Sequence, residues 1–266
     1  MRQSASNVFA ILLLAGLLVL PALPALPDAH AQSRTEEAKD RLDGRSDEPP
    51  VVRAARIFLH IGIDVMPTFF YFQPMHPDEP ALSYNRYPYQ NPHYSGIRNF
   101  QEESDRRGLW DVQATFSLPQ TSWAMQQASA RVKRNIRYWS LIAGYEYLME
   151  DGAPYPIHQS QFLFERKFRF LPQGDGGFQF GLRTLHLDGD TYAGPELGVN
   201  LEIFPWRPFS LAYNGSWTYT TFADVINQQV DFGIHVDATR FFFRYRWLDI
   251  GGVKFGTFTA GAGFYF

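Results

Sequence analysis

The C-terminal stretch from Val253 to Phe266 reads VKFGTFTAGAGFYF, and its alternation decides the fold. Side chains along a β-strand point to opposite faces in turn. Counting back by twos therefore gives one apolar face, made of Phe266, Phe264, Ala262, Ala260 and Phe258. The intervening positions are mostly small or polar. The pattern predicts a strand that separates an apolar environment from a polar one.

The composition limits the classes of protein that this chain can belong to. It has 266 residues, no cysteine, a net charge of −3 and 17% aromatic residues, with a mean hydropathy of −0.26. That average is too polar for a bundle of membrane helices, whereas the abundance of aromatics is typical of membrane β-barrels. The charge gives no reason to expect a nucleic-acid partner. Without cysteine, disulfides and thiol catalysis are excluded.

Alternation like that of the last strand recurs through the chain, with turn signals between segments. We predict about ten antiparallel strands. The first is Arg53–Phe72, and the connection Pro119–Arg134 is predicted to hold at most a short helical turn. That connection is long, so eight or twelve strands remain alternatives. The other predicted strands are Leu109–Leu118, Ile136–Met149, Ile157–Leu171, Phe178–Leu187, Tyr192–Phe204, Phe209–Phe222, Gln228–Asp237, Arg240–Leu248 and Val253–Phe266.

An apolar stripe that ends in a C-terminal Phe resembles the last strand of bacterial outer-membrane β-barrels, where it serves as the assembly signal. The resemblance matches no particular subfamily. It implies an all-β, antiparallel, up-and-down transmembrane barrel in the outer membrane of a Gram-negative cell. The implied partners are outer-membrane lipid, lipopolysaccharide and the assembly machinery, which would bind the Phe266 strand. It also implies that Phe266 lies on the periplasmic side.

The N-terminal region reads as a targeting segment followed by a polar lead. Val8 to Leu20 is apolar, and Ala29-His30-Ala31 offers small residues on both sides of a cut before Gln32. We predict a cleaved signal peptide over residues 1–31, with an uncleaved anchor as the alternative. Residues 32–52 contain almost no apolar side chains, so we expect a flexible periplasmic lead.

The two faces of the predicted strands differ sharply. In a soluble sandwich the apolar face would point inward, whereas in a membrane barrel the charged face lines the lumen. The predicted signal segment and the C-terminal strand favour the membrane barrel. A ten-stranded lumen is narrow, and buried charges must pair. We therefore expect a salt-bridged filling, or alternatively a narrow pore. The predicted lumen charges are Glu165, Lys167, Arg169, Arg183, Glu196, Glu202, Asp231, His235, Asp237, Arg244 and Arg246.

Residues 73–107 form the longest segment without alternation and are predicted to be the first outer loop. Long loops are commonly functional, and tyrosine offers contact area together with a hydroxyl group. We therefore predict a binding surface for an unknown partner. The alternative is a loop that packs into the barrel mouth. The tyrosines concerned are Tyr84, Tyr87, Tyr89 and Tyr94.

The sequence carries no phosphate loop, zinc-protease or nucleophile-elbow motif, so no cofactor or metal is predicted. Weak catalytic candidates fall near the outer rim: His158, His186, Glu146 and Asp188. Omptin-type outer-membrane proteases are similar only at the level of the fold, because their local motifs are missing here. A structural or surface-interaction role is favoured. A rim-sited hydrolase of lipid or peptide, or a porin-like narrow channel, is the alternative.

Overall fold

The structure, a computed structural model, describes residues 34–43, 109–117, 125–136, 139–171, 174–220 and 223–265. These residues form one helix and ten strands. The elements are α1 (Arg34–Asp43), β1 (Leu109–Ser117), β2 (Met125–Ile136), β3 (Trp139–Glu150), β4 (Ile157–Leu171), β5 (Gly174–Leu187), β6 (Asp190–Trp206), β7 (Phe209–Tyr219), β8 (Asp224–Val236), β9 (Thr239–Ile250) and β10 (Val253–Tyr265).

The ten strands close into a barrel in which each strand is antiparallel to both of its neighbours. The predicted fold class is confirmed. Closure joins β10 to β1, with Tyr265 opposite Asp111 and Thr259 opposite Ser117. The sequence-based prediction had closed the barrel on Arg53–Phe72 instead, a range that lies outside the described residues, as do the signal segment and Phe266.

Strand β2 corrects the interpretation of Pro119–Arg134 as a connection. Met125–Ile136 pairs along its length with both β1 and β3. Its outward positions are Gln126, Ala128, Ala130, Val132, Arg134 and Ile136. This face has no run of large apolar side chains, and for that reason the alternation was not recognised.

The barrel has two distinct ends. At the terminal end, where β10 finishes and β1 begins, the four connections between β2 and β9 contain two residues each. The other end, which we call the helix end, holds α1. Residues 73–107, which are predicted to be the first outer loop, precede β1 in the chain. They and their tyrosines lie outside the described residues.

The outside of the barrel is apolar and the inside is polar. Outward side chains with large exposed fractions include Phe116 (66%), Leu182 (60%) and Phe243 (57%). Glu165, Arg183 and Glu196 are nearly fully buried inside. This is the arrangement of a transmembrane β-barrel, and strands of 9–17 residues are long enough to cross a bilayer. Within the described ranges, no helix is long and apolar enough to span a membrane.

Aromatic residues mark the outer wall near the terminal end. Trp110 and Trp139 lie under the guanidinium groups of Arg134 and Arg166, at 5.2 and 5.3 Å from the ring centroids. Trp206 is 60% exposed at the same end. Trp and Arg at this height are typical of a membrane interface.

Close strand packing leaves no room for a side chain at Gly194 on β6. A Cβ atom there would lie 1.7 Å from the carbonyl oxygen of Tyr219. Glycine is therefore required by the approach of the two backbones.

Candidate functional site

The lumen is the one part of the described barrel where charged side chains of both signs are packed together. Each strand contributes alternate residues to it, and the inward charges come close to balancing. The acids are Asp111, Glu146, Glu150, Glu165, Asp175, Glu196, Glu202 and Asp231, and the bases are Arg131, Lys133, Lys167, Arg183, Arg240, Arg244 and Arg246.

In the half of the lumen nearer the helix end, two arginines hold the walls together. Arg183 donates to Glu196 at 2.9 and 2.6 Å and to Gln159 at 2.6 Å. Arg246 lies 2.7 Å from Glu146 and donates to the same Gln159 oxygen at 3.3 Å. Gln159 on β4 thus links the two arginines. Arg246 extends from β9 across the lumen to Gln159 and to Glu146 on β3.

In the half nearer the terminal end, two further ion-pair groups lie on opposite walls. Lys133 is 2.5 Å from Glu165, which also accepts a hydrogen bond from Gln179 at 2.8 Å. Across the lumen, Arg244 donates to both oxygens of Asp231 at 2.7 and 2.8 Å. These bidentate and charge-assisted contacts are the strong class of hydrogen bond.

Arg240 belongs to the same network, although the sequence did not predict it. It lies 3.5 Å from Glu202 and 3.8 Å from Asp231. Asp237, which was predicted to lie in the lumen, is exposed in the β8–β9 turn with a φ of 50°. Strand β8 ends one residue earlier, at Val236, so its alternation does not continue to Asp237.

The other predicted lumen residues lie inside wherever their side chains are described. Lys167 donates to Asn135 at 2.6 Å. His235 hydrogen-bonds with Ser210 through Nε2 at 2.8 Å. The side chain of Arg169 lies outside the described part.

Two small cavities remain between these side chains. One of about 70 Å³ lies toward the terminal end, and one of about 40 Å³ lies toward the helix end. Arg131, Asn214 and Gln229 line both cavities, so these three side chains lie between them. Volumes of this size hold a few water molecules or one small polar group.

Helix α1 closes the lumen at the helix end. Its residues, Arg34–Asp43, are an ordered helix within the range 32–52 that was predicted to be a flexible lead, and the remainder of that range lies outside the described residues. Ala38 and Leu42 are completely buried in a cluster of inward apolar side chains from the strand ends. Ten residues cannot form a stable helix alone, so tertiary packing stabilises it. The partners include Leu148, Ile157, Leu185, Leu187, Val225, Leu248, Ile250 and Phe255.

Polar contacts fix both ends of α1. Glu150 accepts hydrogen bonds from Arg34 Nε at 2.9 Å and from the backbone nitrogen and hydroxyl of Thr35 at 3.0 Å each. A carboxylate at a helix N-terminus also interacts favourably with the helix dipole. At the other end, the hydroxyl of Tyr192 donates to Asp43.

Lys39 links α1 to the β5–β6 turn. Its ammonium group lies 3.5 Å from Asp188 and 3.2 Å from Asp190, and 3.1 Å from Asp43 within the helix. Hydrogen bonds from Tyr192 and Lys39 lower the pKa of Asp43. Hydrogen bonds to Asp43 and Asp190 raise the pKa of Lys39. Both groups are therefore charged at neutral pH.

The four weak catalytic candidates do not form one site. Glu146 points into the lumen and pairs with Arg246. His158 and His186 lie opposite each other on the outer wall, with ring centroids 6.2 Å apart. Asp188 is in a turn next to Lys39. The barrel wall thus separates the carboxylate of Glu146 from both imidazoles.

No metal site is formed by the part of the chain that the structure describes, where no three His, Asp or Glu residues are grouped to hold an ion.

No family model and no curated protein matches this sequence. Solved structures with a similar fold are bacterial barrels. Neisserial surface protein A is 11% identical, over 60% of this chain and 96% of that one, with a TM-score of 0.29. The translocator domain of the autotransporter NalP from Neisseria meningitidis is 11% identical, over 61% and 90%, with a TM-score of 0.35.

A third similar structure is a loop-deletion mutant of OmpT, an outer-membrane protein of Vibrio cholerae. It is 16% identical over 62% of this chain and 60% of that one, with a TM-score of 0.30. Likenesses of this size extend to the barrel fold and transfer no activity to this chain.

Proposed function

We propose that this chain is a closed outer-membrane barrel that does not conduct and that acts as a structural or surface-interaction protein. The observation that carries the proposal is the network of paired charges that crosses the lumen. Arg183 and Arg246 are held by carboxylates on different strands and share Gln159. Helix α1 adds a second closure at the mouth.

Opening a pore through this lumen is energetically unfavourable. Separating a buried ion pair leaves a desolvated charge without a partner, which costs about 3–5 kcal/mol. At least two such pairs would have to separate, Arg183–Glu196 and Arg246–Glu146. The lumen side chains therefore act as a permanent filling, which favours a structural role over a porin-like one.

Planar-bilayer recording tests the proposal. The purified protein should give no stable single-channel steps. A variant that lacks Arg34–Asp43 and carries Arg183→Ala, Arg246→Ala, Lys133→Ala and Arg244→Ala removes the helix and the paired cations of both halves of the lumen. It serves as a positive control that should conduct. Arg134→Ala, which changes an outward side chain, should remain silent. Regular steps from the unchanged protein would favour the narrow channel instead.

We orient the terminal end toward the periplasm. Outer-membrane barrels have short periplasmic turns. Every connection at this end contains two residues, whereas the three connections longer than two residues all lie at the helix end. The helix end is then at the cell surface, with Asp188 and Asp190 at its rim. An acidic rim suits contact with lipopolysaccharide bridged by divalent cations.

The surface-interaction part of the proposal includes the tyrosine-rich segment, as the sequence predicts. Deletion of Asp78–Ser95 should abolish binding of the protein to whole-cell or matrix surfaces while heat-modifiable gel mobility stays normal. A deletion that folds and binds like the full chain would limit the role to a structural one.

A further inference from the structure

Arg131 stands out among the cations of the lumen. It projects inward from the middle of β2 and lines both cavities. Every other lumen cation whose side chain is described has an ion pair or a hydrogen bond, whereas Arg131 has neither within that part of the chain.

Three carboxylates act on Arg131 electrostatically, and all three are already engaged. Asp111 accepts a hydrogen bond from Gln113 at 3.3 Å. Glu165 is bound by Lys133 and Gln179. Asp231 is held by two hydrogen bonds from Arg244. Neither Glu165 nor Asp231 can be withdrawn from its partner without leaving a second charge unpaired.

Further donors without partners line the same 70 Å³ cavity. The buried atoms concerned are Arg131 Nε, Arg240 Nε and Asn135 Nδ2, none of which has a hydrogen-bond partner among the described residues. Arg240 and Asn135 are 4% and 3% exposed. One acceptor, Glu202 Oε1, also has no hydrogen bond there, and its nearest cation is Arg240 Nη2 at the ion-pair distance of 3.5 Å. Buried polar groups almost always have partners, so several orphan donors around one cavity indicate a ligand that accepts hydrogen bonds.

We propose that this cavity binds a small oxyanion, with a phosphate or carboxylate group held by Arg131. Arg240 and Asn135 donate to its other oxygens, and Glu202 accepts from a protonated oxygen of the ligand. The guanidinium group matches both oxyanions by donating two parallel hydrogen bonds. A cavity of about 70 Å³ has room for one such group.

Calorimetric titration of the detergent-solubilised full chain with inorganic phosphate tests this site, at constant ionic strength set with chloride. A parallel titration with acetate separates a phosphate preference from a carboxylate preference. The unchanged protein should bind one of the two with a stoichiometry of one. Arg131→Gln should weaken binding by about tenfold or more, as expected for loss of a charge-assisted contact. Arg131→Lys keeps the positive charge but loses the two parallel donors of the guanidinium group. Its affinity should lie between those of the unchanged protein and Arg131→Gln.

Arg134→Gln is the matched control, because it removes an arginine from the same strand on the opposite face and should bind like the unchanged protein. Stability without added ligand gives an independent readout. Since Arg131 is a half-buried charge without an ion pair or hydrogen bond in the described part of the chain, Arg131→Gln should unfold in urea at the same concentration as the unchanged chain or at a higher one. Equal binding by Arg131→Gln and Arg134→Gln, or no binding of either anion by the unchanged protein, would overturn the proposal.

Discussion

Arg183 on β5 and Glu196 on β6 form a bidentate ion pair that is almost completely shielded from solvent. Nε and Nη2 donate to the two carboxylate oxygens at 2.9 and 2.6 Å, and the side chains are 3% and 1% exposed. The pair sits on neighbouring strands and reaches β4 through Gln159. It therefore fixes three strands relative to one another from the inside.

Removing one partner of this pair should destabilise the barrel more than removing both. Glu196→Leu leaves the Arg183 charge buried and is expected to lower the free energy of unfolding by about 3–5 kcal/mol. Arg183→Met combined with Glu196→Leu should recover most of that loss. Urea titration followed by gel mobility measures both variants. If the double variant is as unstable as the single one, the packing of the side chains and not their charge stabilises the wall.

Docking of α1 should depend on Leu42. Its side chain is completely buried among apolar strand ends, and Leu→Ala changes at such sites cost about 2–5 kcal/mol. Leu42→Ala should therefore speed trypsin cleavage after Lys39 and Arg41 without altering the heat-modifiable mobility of the barrel. Glu37→Ala, on the exposed side of the helix, should leave the cleavage rate unchanged.

Docking of α1 should also depend on pH at both extremes. The pKa of Asp43 is lowered in the folded state, so its contribution is present above the unfolded value of about 3.9 and is lost as the pH falls through the folded pKa. The pKa of Lys39 is raised, so its contribution is present below about 10.4 and is lost as the pH rises through the folded value.

A spin label attached to Glu37→Cys can measure the pH dependence of α1 docking, because the chain has no other cysteine. The label should become more mobile below about pH 4. Combining Asp43→Asn with Glu37→Cys should remove the acid-dependent change. A label whose mobility changes with acid to the same extent in both proteins would assign the effect to other groups.

The sidedness of the barrel can be measured with single cysteines. Glu37→Cys at the helix end should react with a membrane-impermeant maleimide on intact cells. Asp237→Cys, in an exposed turn at the terminal end, should react only after the outer membrane is disrupted. The reverse pattern would place the terminal end at the cell surface.

Gly194 should not tolerate a methyl group. Gly194→Ala places a carbon against the backbone carbonyl of Tyr219, so β6 and β7 cannot keep their spacing and the yield of folded barrel should fall sharply. Gly263→Ala is the matched control, since the closest atom there belongs to the flexible side chain of Gln113, at 3.1 Å. Similar yields for the two variants would show that the backbones can separate.

The sequence was sufficient to predict most of the strands and their faces because large apolar residues alternate with charges in β4 to β10. Phe162 and Phe164 are exposed as expected, while Glu165 lies inside. Strand β2 was missed since Ala128, Ala130 and Val132 make a weakly apolar outer face. Arg240 has the same parity as Arg244 and Arg246 in the predicted strand Arg240–Leu248, and it was missed as the first residue of that strand, beside the turn.

Helix α1 could not be predicted from its own residues. Only Ala38 and Leu42 provide apolar burial, and the contacts that order it come from residues more than a hundred positions away, such as Glu150. The composition of α1 shows that its residues cannot form a core by themselves. It gives no information about the apolar surface that distant strands provide. The unpaired state of Arg131 is likewise a property of the closed lumen.

The anchors of α1 also set the order in which the molecule is completed. Glu150 ends β3, Tyr192 lies near the start of β6, and the backbone carbonyl of Lys254 on β10 accepts a hydrogen bond from Arg34. The site that binds the helix does not exist until β3, β6 and β10 have come together. Helix α1 is the first of the described segments to be synthesised, and it is thus the last to dock. Protection of α1 from protease therefore indicates that the barrel has closed.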